Sequence, residues 1–111
     1  MKEITLTPDS AGKDFNSDVT VSFPCILSFD IESYDSSGYA YMGNFIVLLN
    51  EDSYNTVVEV DMDLGWKRPT AISALAQQKY YVGTQNNKIY ARCVSAASSS
   101  SKILVKAIIF I

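Results

Sequence analysis

Apolar residues recur at every second position along most of this 111-residue chain, whereas the three-to-four-residue spacing of an amphipathic helix is nearly absent. In the longest row, each odd-numbered position from 19 to 31 is apolar, while the even-numbered positions are mostly polar. A strand has this pattern when one face is buried and the other meets solvent. Pro24 interrupts the row, which predicts a pair of antiparallel strands or one bent strand.

The segment KYYVGTQNNKIYARCV, residues 79–94, predicts a β-hairpin. Two alternating runs flank Asn86 and Asn87, and Asn tolerates the positive φ that a type I′ turn requires. A two-residue turn fixes the register, so that opposed residues point to the same face. The predicted core-facing pairs are Thr84 with Ile89, Val82 with Ala91, and Tyr80 with Cys93. The predicted outward pairs are Gln85 with Lys88, Gly83 with Tyr90, and Tyr81 with Arg92.

The remaining alternating stretches predict further strands over residues 2–7, 39–49, 56–62 and 102–111. Residues 39–49 become apolar on both faces in their second half, which predicts a central strand. Residues 8–16 read as a loop, and residues 70–77 also fit a short amphipathic helix. About eight closely spaced strands predict one all-β domain over residues 1–111, an antiparallel β-sandwich of jelly-roll or immunoglobulin-like topology.

The composition disfavours several classes of function. The chain has no histidine, which excludes the commonest general base, histidine-ligated zinc and nucleophiles activated by histidine. We therefore expect neither an enzyme nor a bound metal or other cofactor. Nine basic and twelve acidic residues give a net charge of −3, and the basic residues are scattered, so nucleic acid is not an expected partner. No apolar run is long enough for a transmembrane helix, and no signal peptide is recognisable.

Two cysteines, Cys25 and Cys93, fall on predicted core-facing rows. They are either buried small hydrophobic residues or partners in a disulfide. Their spacing is close to that of the immunoglobulin disulfide. However, Trp66 lies too far beyond Cys25, and Ala91 stands where that family has a tyrosine.

One candidate ligand-binding group lies on the predicted outward face of the hairpin. Tyr81, Tyr90 and Arg92 share this face, and Trp66 in a nearby loop could add a second aromatic platform. Aromatic rings stack on sugar faces, and arginine donates forked hydrogen bonds to hydroxyls or carboxylates. The group would fit a carbohydrate-binding module. It would equally fit a cross-strand cluster that stabilises the hairpin, or a contact with another subunit.

The stretch KILVKAIIFI, residues 102–111, is a candidate oligomer interface. Its odd-numbered side chains can be buried in the domain's own core, and the other face is apolar as well towards the end. A sandwich strand buries only one face in its own core, so the second face needs a cover from the same chain or from a partner. The predicted interface residues are Leu104, Ile108, Phe110 and Ile111.

The sandwich pattern, the serine-rich stretch SAASSSS and the apolar ending together resemble the small β-sandwich domains of phage virions. These include tail-fibre tips, head fibres and capsid-decoration proteins. The resemblance implies a homo-oligomer, often a trimer, that is made in the host cytoplasm and displayed on the virion. It further implies that the domain binds other virion proteins or a host surface glycan.

Overall fold

The computed structural model describes the backbone of residues 2–35, 40–53, 56–64, 75–95 and 100–110, and side chains at 2–34, 42–53, 79–94 and 103–110. Within these ranges the chain forms nine strands and no helix. The strands are β1 (Lys2–Thr5), β2 (Thr7–Pro8), β3 (Asp14–Asn16), β4 (Cys25–Asp35), β5 (Ala40–Leu49), β6 (Thr56–Leu64), β7 (Leu75–Gln85), β8 (Lys88–Ser95) and β9 (Ser100–Phe110).

All pairings are antiparallel and follow the order β1-β9-β4-β5-β6-β7-β8-β3-β2. The link between β5 and β6 consists of only two residue pairs, Tyr41 with Leu64 and Met42 with Asp63. Because this contact is so short, we describe the strands on its two sides as two sheets. The first sheet is β1-β9-β4-β5 and the second is β6-β7-β8-β3-β2. Leu6 joins β1 to β2, so the first segment of the chain passes from one sheet to the other. If β1 and β2 are counted as one interrupted strand, the described chain has eight strands. The predicted all-β antiparallel sandwich is confirmed.

The order of the strands combines two arrangements. β4 to β8 follow one another as a meander, in which each strand pairs with the next one in sequence. The pairs of β1 with β9 and of β3 with β8 instead join early strands to late ones, as the nested pairs of a jelly roll do. Long-range pairs of the second kind hold the two ends of the described chain together.

The core lies between the two sheets and is formed by the alternating residues that the sequence predicted. From the first sheet it contains the odd-numbered side chains of β4 and β9, including Leu27, Phe29 and Ala107. The second sheet contributes the predicted inner row of the hairpin, with Tyr80 and Val82 fully buried. The crossing residue Leu6 is also buried in this cluster, and its backbone N–H donates to the carbonyl of Val105.

The hairpin of β7 and β8 confirms the predicted register at all six residue pairs. Asn86 and Asn87 both have positive φ, 54° and 61°, as a type I′ turn requires. The inner pairs are buried as predicted. The local sequence therefore predicts both the turn and the register of this unit.

Four expectations need correction. The predicted loop over residues 8–16 contains β3 and the end of β2, and β3 pairs with β8. Leu75, which fitted a short helix, begins strand β7 because β7 pairs with β6 along its length. β4 begins only at Cys25, after a cis peptide bond between Phe23 and Pro24. β5, predicted to be central, has a described second neighbour only at Tyr41 and Met42.

The terminal strand is an inner strand of its sheet, because β9 lies between β1 and β4. Its odd-numbered residues Val105, Ala107 and Ile109 are buried in the core. Both cysteines are buried and free, which agrees with the first of the two alternatives. Burial raises the pKa of the Cys25 thiol.

Candidate functional site

The outer face of the first sheet carries the most unusual surface of the molecule. Register places even-numbered residues of β9, β4 and β5 side by side on this face. One row across the three strands contains Phe110, Ile26 and Leu48, and the next contains Ile108, Ser28 and Ile46. Five of these six residues are apolar.

We call these five residues, Ile26, Ile46, Leu48, Ile108 and Phe110, the outer patch. Ile26 is 42% exposed, while Ile46 and Leu48 are 60% and 61% exposed. Ile108 and Phe110 are half-buried. Singly exposed apolar residues are common on protein surfaces, but neighbouring ones that form a contiguous patch often indicate a contact surface.

A polar strip borders the outer patch along the same strands. Lys106, Asp30 and Asn44 form the next row of the register. The side-chain amide of Asn44 donates to Ser28 Oγ at 2.8 Å and also to Asp30 Oδ1. Because Ser28 is buried and receives this hydrogen bond, the one polar residue among the rows of the patch is satisfied within its own sheet.

Beyond this strip, Glu32 accepts a 2.9 Å hydrogen bond from the hydroxyl of Tyr34, and this bond raises the pKa of Tyr34. A depression of about 610 Å³ covers the polar half of the face and is lined by Glu3, Asp30, Glu32, Asn44 and Lys106 among others. The face therefore has an apolar half and a mixed half, in which charged and hydrogen-bonded residues lie beside Leu104 and Met42.

The predicted oligomer interface maps partly onto the outer patch. Ile108 and Phe110 belong to it, whereas Leu104 lies beyond the polar strip, in the row of Glu32 and Met42. Ile111 lies outside the described residues. The sequence did not point to Ile26, Ile46 or Leu48, because an apolar strand with two apolar faces also fits the interior of a sheet. The signal was present in the two-sided apolar run at residues 45–49.

The predicted ligand-binding group on the hairpin is only partly available at the surface. Tyr90 is 7% exposed, and its hydroxyl donates a 2.6 Å hydrogen bond to Asp14 Oδ1 on β3. A ring buried to this extent offers no face for stacking on a sugar. Arg92 is exposed and its Nε lies 3.6 Å from the same Asp14 oxygen, while Tyr81 is half-buried. Trp66 lies outside the described residues, so the carbohydrate-binding prediction stays untested.

Polar contacts fasten the hairpin to the loop after β5. Thr84 is fully buried, and its hydroxyl donates to Asp52 Oδ1 at 2.7 Å. The backbone N–H of Asn87 donates to the same oxygen at 3.0 Å. The hydrogen bond from Thr84, followed by that from Asn87, lowers the pKa of Asp52 below 3.8, because both stabilise the ionised carboxylate.

Tyr80, another side chain that could react chemically, lies in the core of the domain. Tyr80 is fully buried, and burial together with a hydrogen bond to the side chain of Cys93 raises its pKa far above the ordinary value.

Within the described residues, no group of three or more Cys, Asp or Glu side chains is arranged to hold a metal ion. In the same part of the chain, no helix is long and apolar enough to cross a membrane.

No protein-family model matches this chain, and no curated protein or solved structure matches it significantly either. Among the described residues, the outer patch is the surface feature that most clearly indicates a function.

Proposed function

We propose that this domain is a non-enzymatic structural or adhesive module that works as an oligomer, with the outer patch at a contact between proteins. The observation that carries this proposal is the grouping of Ile26, Ile46 and Leu48, 42–61% exposed, beside Ile108 and Phe110. All five project from paired strands of one sheet. A rigid apolar surface of this kind fits a complementary rigid partner.

Apolar surface in contact with water is unfavourable, so a partner that covers the outer patch gains free energy by removing it from water. The outer patch exposes on the order of 400 Å² of apolar area, which is within the range of functional patches on single domains. Covering it would contribute on the order of 10 kcal/mol before the entropic costs of association. Such a term is comparable in size with the stability of a domain of this length, about 5–15 kcal/mol.

The proposed setting is the surface of a virion, where the domain would serve as a fibre tip or a capsid-decoration protein. Its support is the resemblance in sequence pattern to small phage β-sandwich domains, together with the outer patch. The partner would be a particle protein or a receptor on the host surface. The absence of histidine from the whole chain supports the non-enzymatic character.

The mass of the protein in solution tests the oligomeric part of this proposal. At about 100 µM, where weak specific contacts form, we expect light scattering and native mass spectrometry to give the mass of two or more 12.3 kDa chains. The double variant Ile46→Ser, Leu48→Ser is expected to raise the dissociation constant at least about tenfold, because two patch side chains lose most of their apolar area.

Val94→Ser is the matched control. Val94 is 47% exposed but lies on β8, in the second sheet, so its replacement removes exposed apolar area without touching the outer patch. Its variant should associate as the unchanged chain does. A chain that stays monomeric up to about 100 µM, a concentration at which even weak specific contacts form, would contradict the proposal.

A further inference from the structure

The edge of the first sheet at β5 has an unpaired side. β4 pairs with β5 along ten residues, from Cys25 with Leu49 to Tyr34 with Ala40. On the other side, within the described part of the chain, β6 pairs only with Tyr41 and Met42 and then continues along β7. Along residues 43–49, the backbone groups that point away from β4 therefore have no ladder partner among the described strands.

This edge lacks the features by which proteins protect open strands. Such edges usually carry a lysine, a proline or a bulge, or they are very short. Residues 43–49 contain no charge and no proline, and the sequence has no charged residue between Asp35 and Glu51. The ladder between β4 and β5 is regular along its whole length, so no bulge twists β5 away from a neighbour.

We propose that a second copy of this chain pairs with residues 43–49 of β5, edge to edge and antiparallel, so that the first sheets of two subunits become one continuous sheet. This inference rests on the proposed oligomeric function and specifies the partner and the geometry. A two-fold axis beside β5 relates the copies, so the assembly is a dimer or contains an even number of copies. The resemblance to phage domains implied a trimer instead.

The side chains select one register for this pairing. Directly opposed residues of antiparallel strands point to the same face, so Ile46 must oppose an even-numbered residue of the other copy. The register that places Ile46 opposite Leu48 of the partner subunit brings the two most exposed apolar side chains of β5 together twice. It also places the buried Val47 beside the axis, on the core side of both subunits.

Charge favours a second copy as the occupant. Each copy carries a net charge of −3, so a stretch without charge lets two copies meet without bringing like charges together. In the register that opposes Ile46 to Leu48, residues 45–49 of the two copies face each other, and this charge-free stretch is complementary to itself under two-fold symmetry. The outer patches of the two subunits then adjoin across the axis and form a single apolar surface about twice as large, which stays open to the particle protein or host receptor named in the proposed function.

Amide hydrogen exchange detects edge pairing directly, because new ladder hydrogen bonds protect backbone N–H groups. Exchange of the unchanged chain is measured at about 1 µM and about 100 µM, two concentrations that span a typical weak dissociation constant. We expect alternate amides within residues 43–49 to slow about tenfold at the higher concentration. The amides of Val82 and Ala91, in the two-sided ladder of the hairpin, should exchange alike at both concentrations.

A cysteine pair tests the register. Ile46→Cys and Leu48→Cys variants are mixed and oxidised with oxidised glutathione, which accepts the two electrons and two protons that the thiols lose. Opposed side chains lie close enough for a disulfide, whereas diagonal ones are farther apart. We expect the mixture to cross-link several-fold faster than either variant alone, and Val94→Cys to cross-link no faster than the unchanged chain.

The outcomes separate this inference from the proposed function. A monomer at all concentrations would contradict both. An oligomer that depends on Ile46 and Leu48 but shows no concentration-dependent protection within residues 43–49 would overturn edge pairing and leave the oligomeric function intact. Preferential linking of Leu48→Cys to itself would overturn the register that opposes Ile46 to Leu48.

Discussion

The β7–β8 hairpin and the β4–β5 pair are built alike on the inside and differently on the outside. Both bury alternate residues in the common core, Tyr80 and Val82 from one and Leu27 and Phe29 from the other. On the outer side of the hairpin, Tyr90 is buried and bound to Asp14 of the next strand. The outer side of the other pair exposes a continuous apolar surface.

The number of neighbours explains this difference. β7 pairs with β6 along eight residues. β8 pairs with β3 at two residues only, but the N–H groups of Cys93 and Ile89 also donate to carbonyls of the segment before β4, so the outer edge of β8 is covered within the domain. β5 has a described partner on one side only along residues 43–49. The inner faces thus reflect what the domain needs in order to fold. The outer sides differ in how far segments of the same domain lie against them, since β8 meets β3 and the segment before β4 whereas residues 43–49 of β5 have no described strand on their second side.

The largest expected effect comes from placing a charge on the inner face of the first sheet. Ile109 is 9% exposed and pairs with Leu27, so Ile109→Asp buries an unpaired carboxylate and should cost about 4 kcal/mol in free energy of unfolding. Asp30→Asn, on the outer face of the same sheet, should change it by less than about 0.5 kcal/mol. Urea unfolding of both variants measures the contrast, and a stable, fully assembled Ile109→Asp protein would contradict this assignment of faces.

Variants of the hairpin turn test whether its stability comes mainly from local backbone conformation. Asn87 has a φ of 61°, which a β-branched residue adopts only with strain. Asn87→Val should therefore lower the free energy of unfolding by about 1–3 kcal/mol. Asn87→Gly should leave it nearly unchanged, since glycine adopts positive φ without strain and retains the N–H that donates to Asp52. Equal losses in both variants, measured by thermal unfolding, would show that the Asn side chain matters more than the backbone.

A smaller effect tests whether the outer side of the hairpin is complete. Tyr90→Phe removes the hydroxyl that donates to Asp14 and leaves the ring in place. We expect the free energy of unfolding, measured with denaturant, to fall by about 1 kcal/mol, because phenylalanine cannot donate a hydrogen bond to the Asp14 carboxylate. An increase in stability would mean that the Asp14 contact contributes nothing to holding β3 against β8.

The smallest expected effect concerns acid pH. Folding lowers the pKa of Asp52, so its contribution to stability is fully present above the unfolded value of 3.8 and is lost as the pH falls through it towards the folded value. Thr84→Val removes the main hydrogen bond that lowers this pKa. A carboxylate titration followed by NMR should show the Asp52 pKa rising towards 3.8 in this variant, and an unchanged value would contradict the assignment of its cause.

The parts of the fold set by local chemistry could be predicted from the sequence. Asn86 and Asn87 determine the turn, and the turn determines which residues of β7 and β8 oppose each other. The odd-numbered apolar row within residues 102–111 also predicted a core-facing strand, because a strand face without charge or polar groups is usually buried. In both cases the pattern extends over enough residues to define a face.

Features that depend on distant pairing could not be predicted. β3 is only three residues long, with one buried side chain, Phe15, so the turn-forming residues around it dominated its pattern. Its pairing with β8, and therefore the burial of Tyr90, depends on residues about 75 positions apart. The exposure of Ile46 and Leu48 was hidden for a related reason, because the number of neighbours of a strand is not encoded in its own side chains.

The pairing of β1, at the start of the described chain, with β9, near its end, affects how the chain can fold while it is being synthesised. Each strand of the meander can pair with the previous one soon after it leaves the ribosome. Lys2, in contrast, pairs with Ile109, so β1 must wait for β9 while most of the chain is translated. At about 5–20 residues per second, this interval lasts several seconds or more. During that time the edge of β4 that β9 will occupy is open to other nascent chains, so binding of a chaperone or of a neighbouring copy is most consequential then.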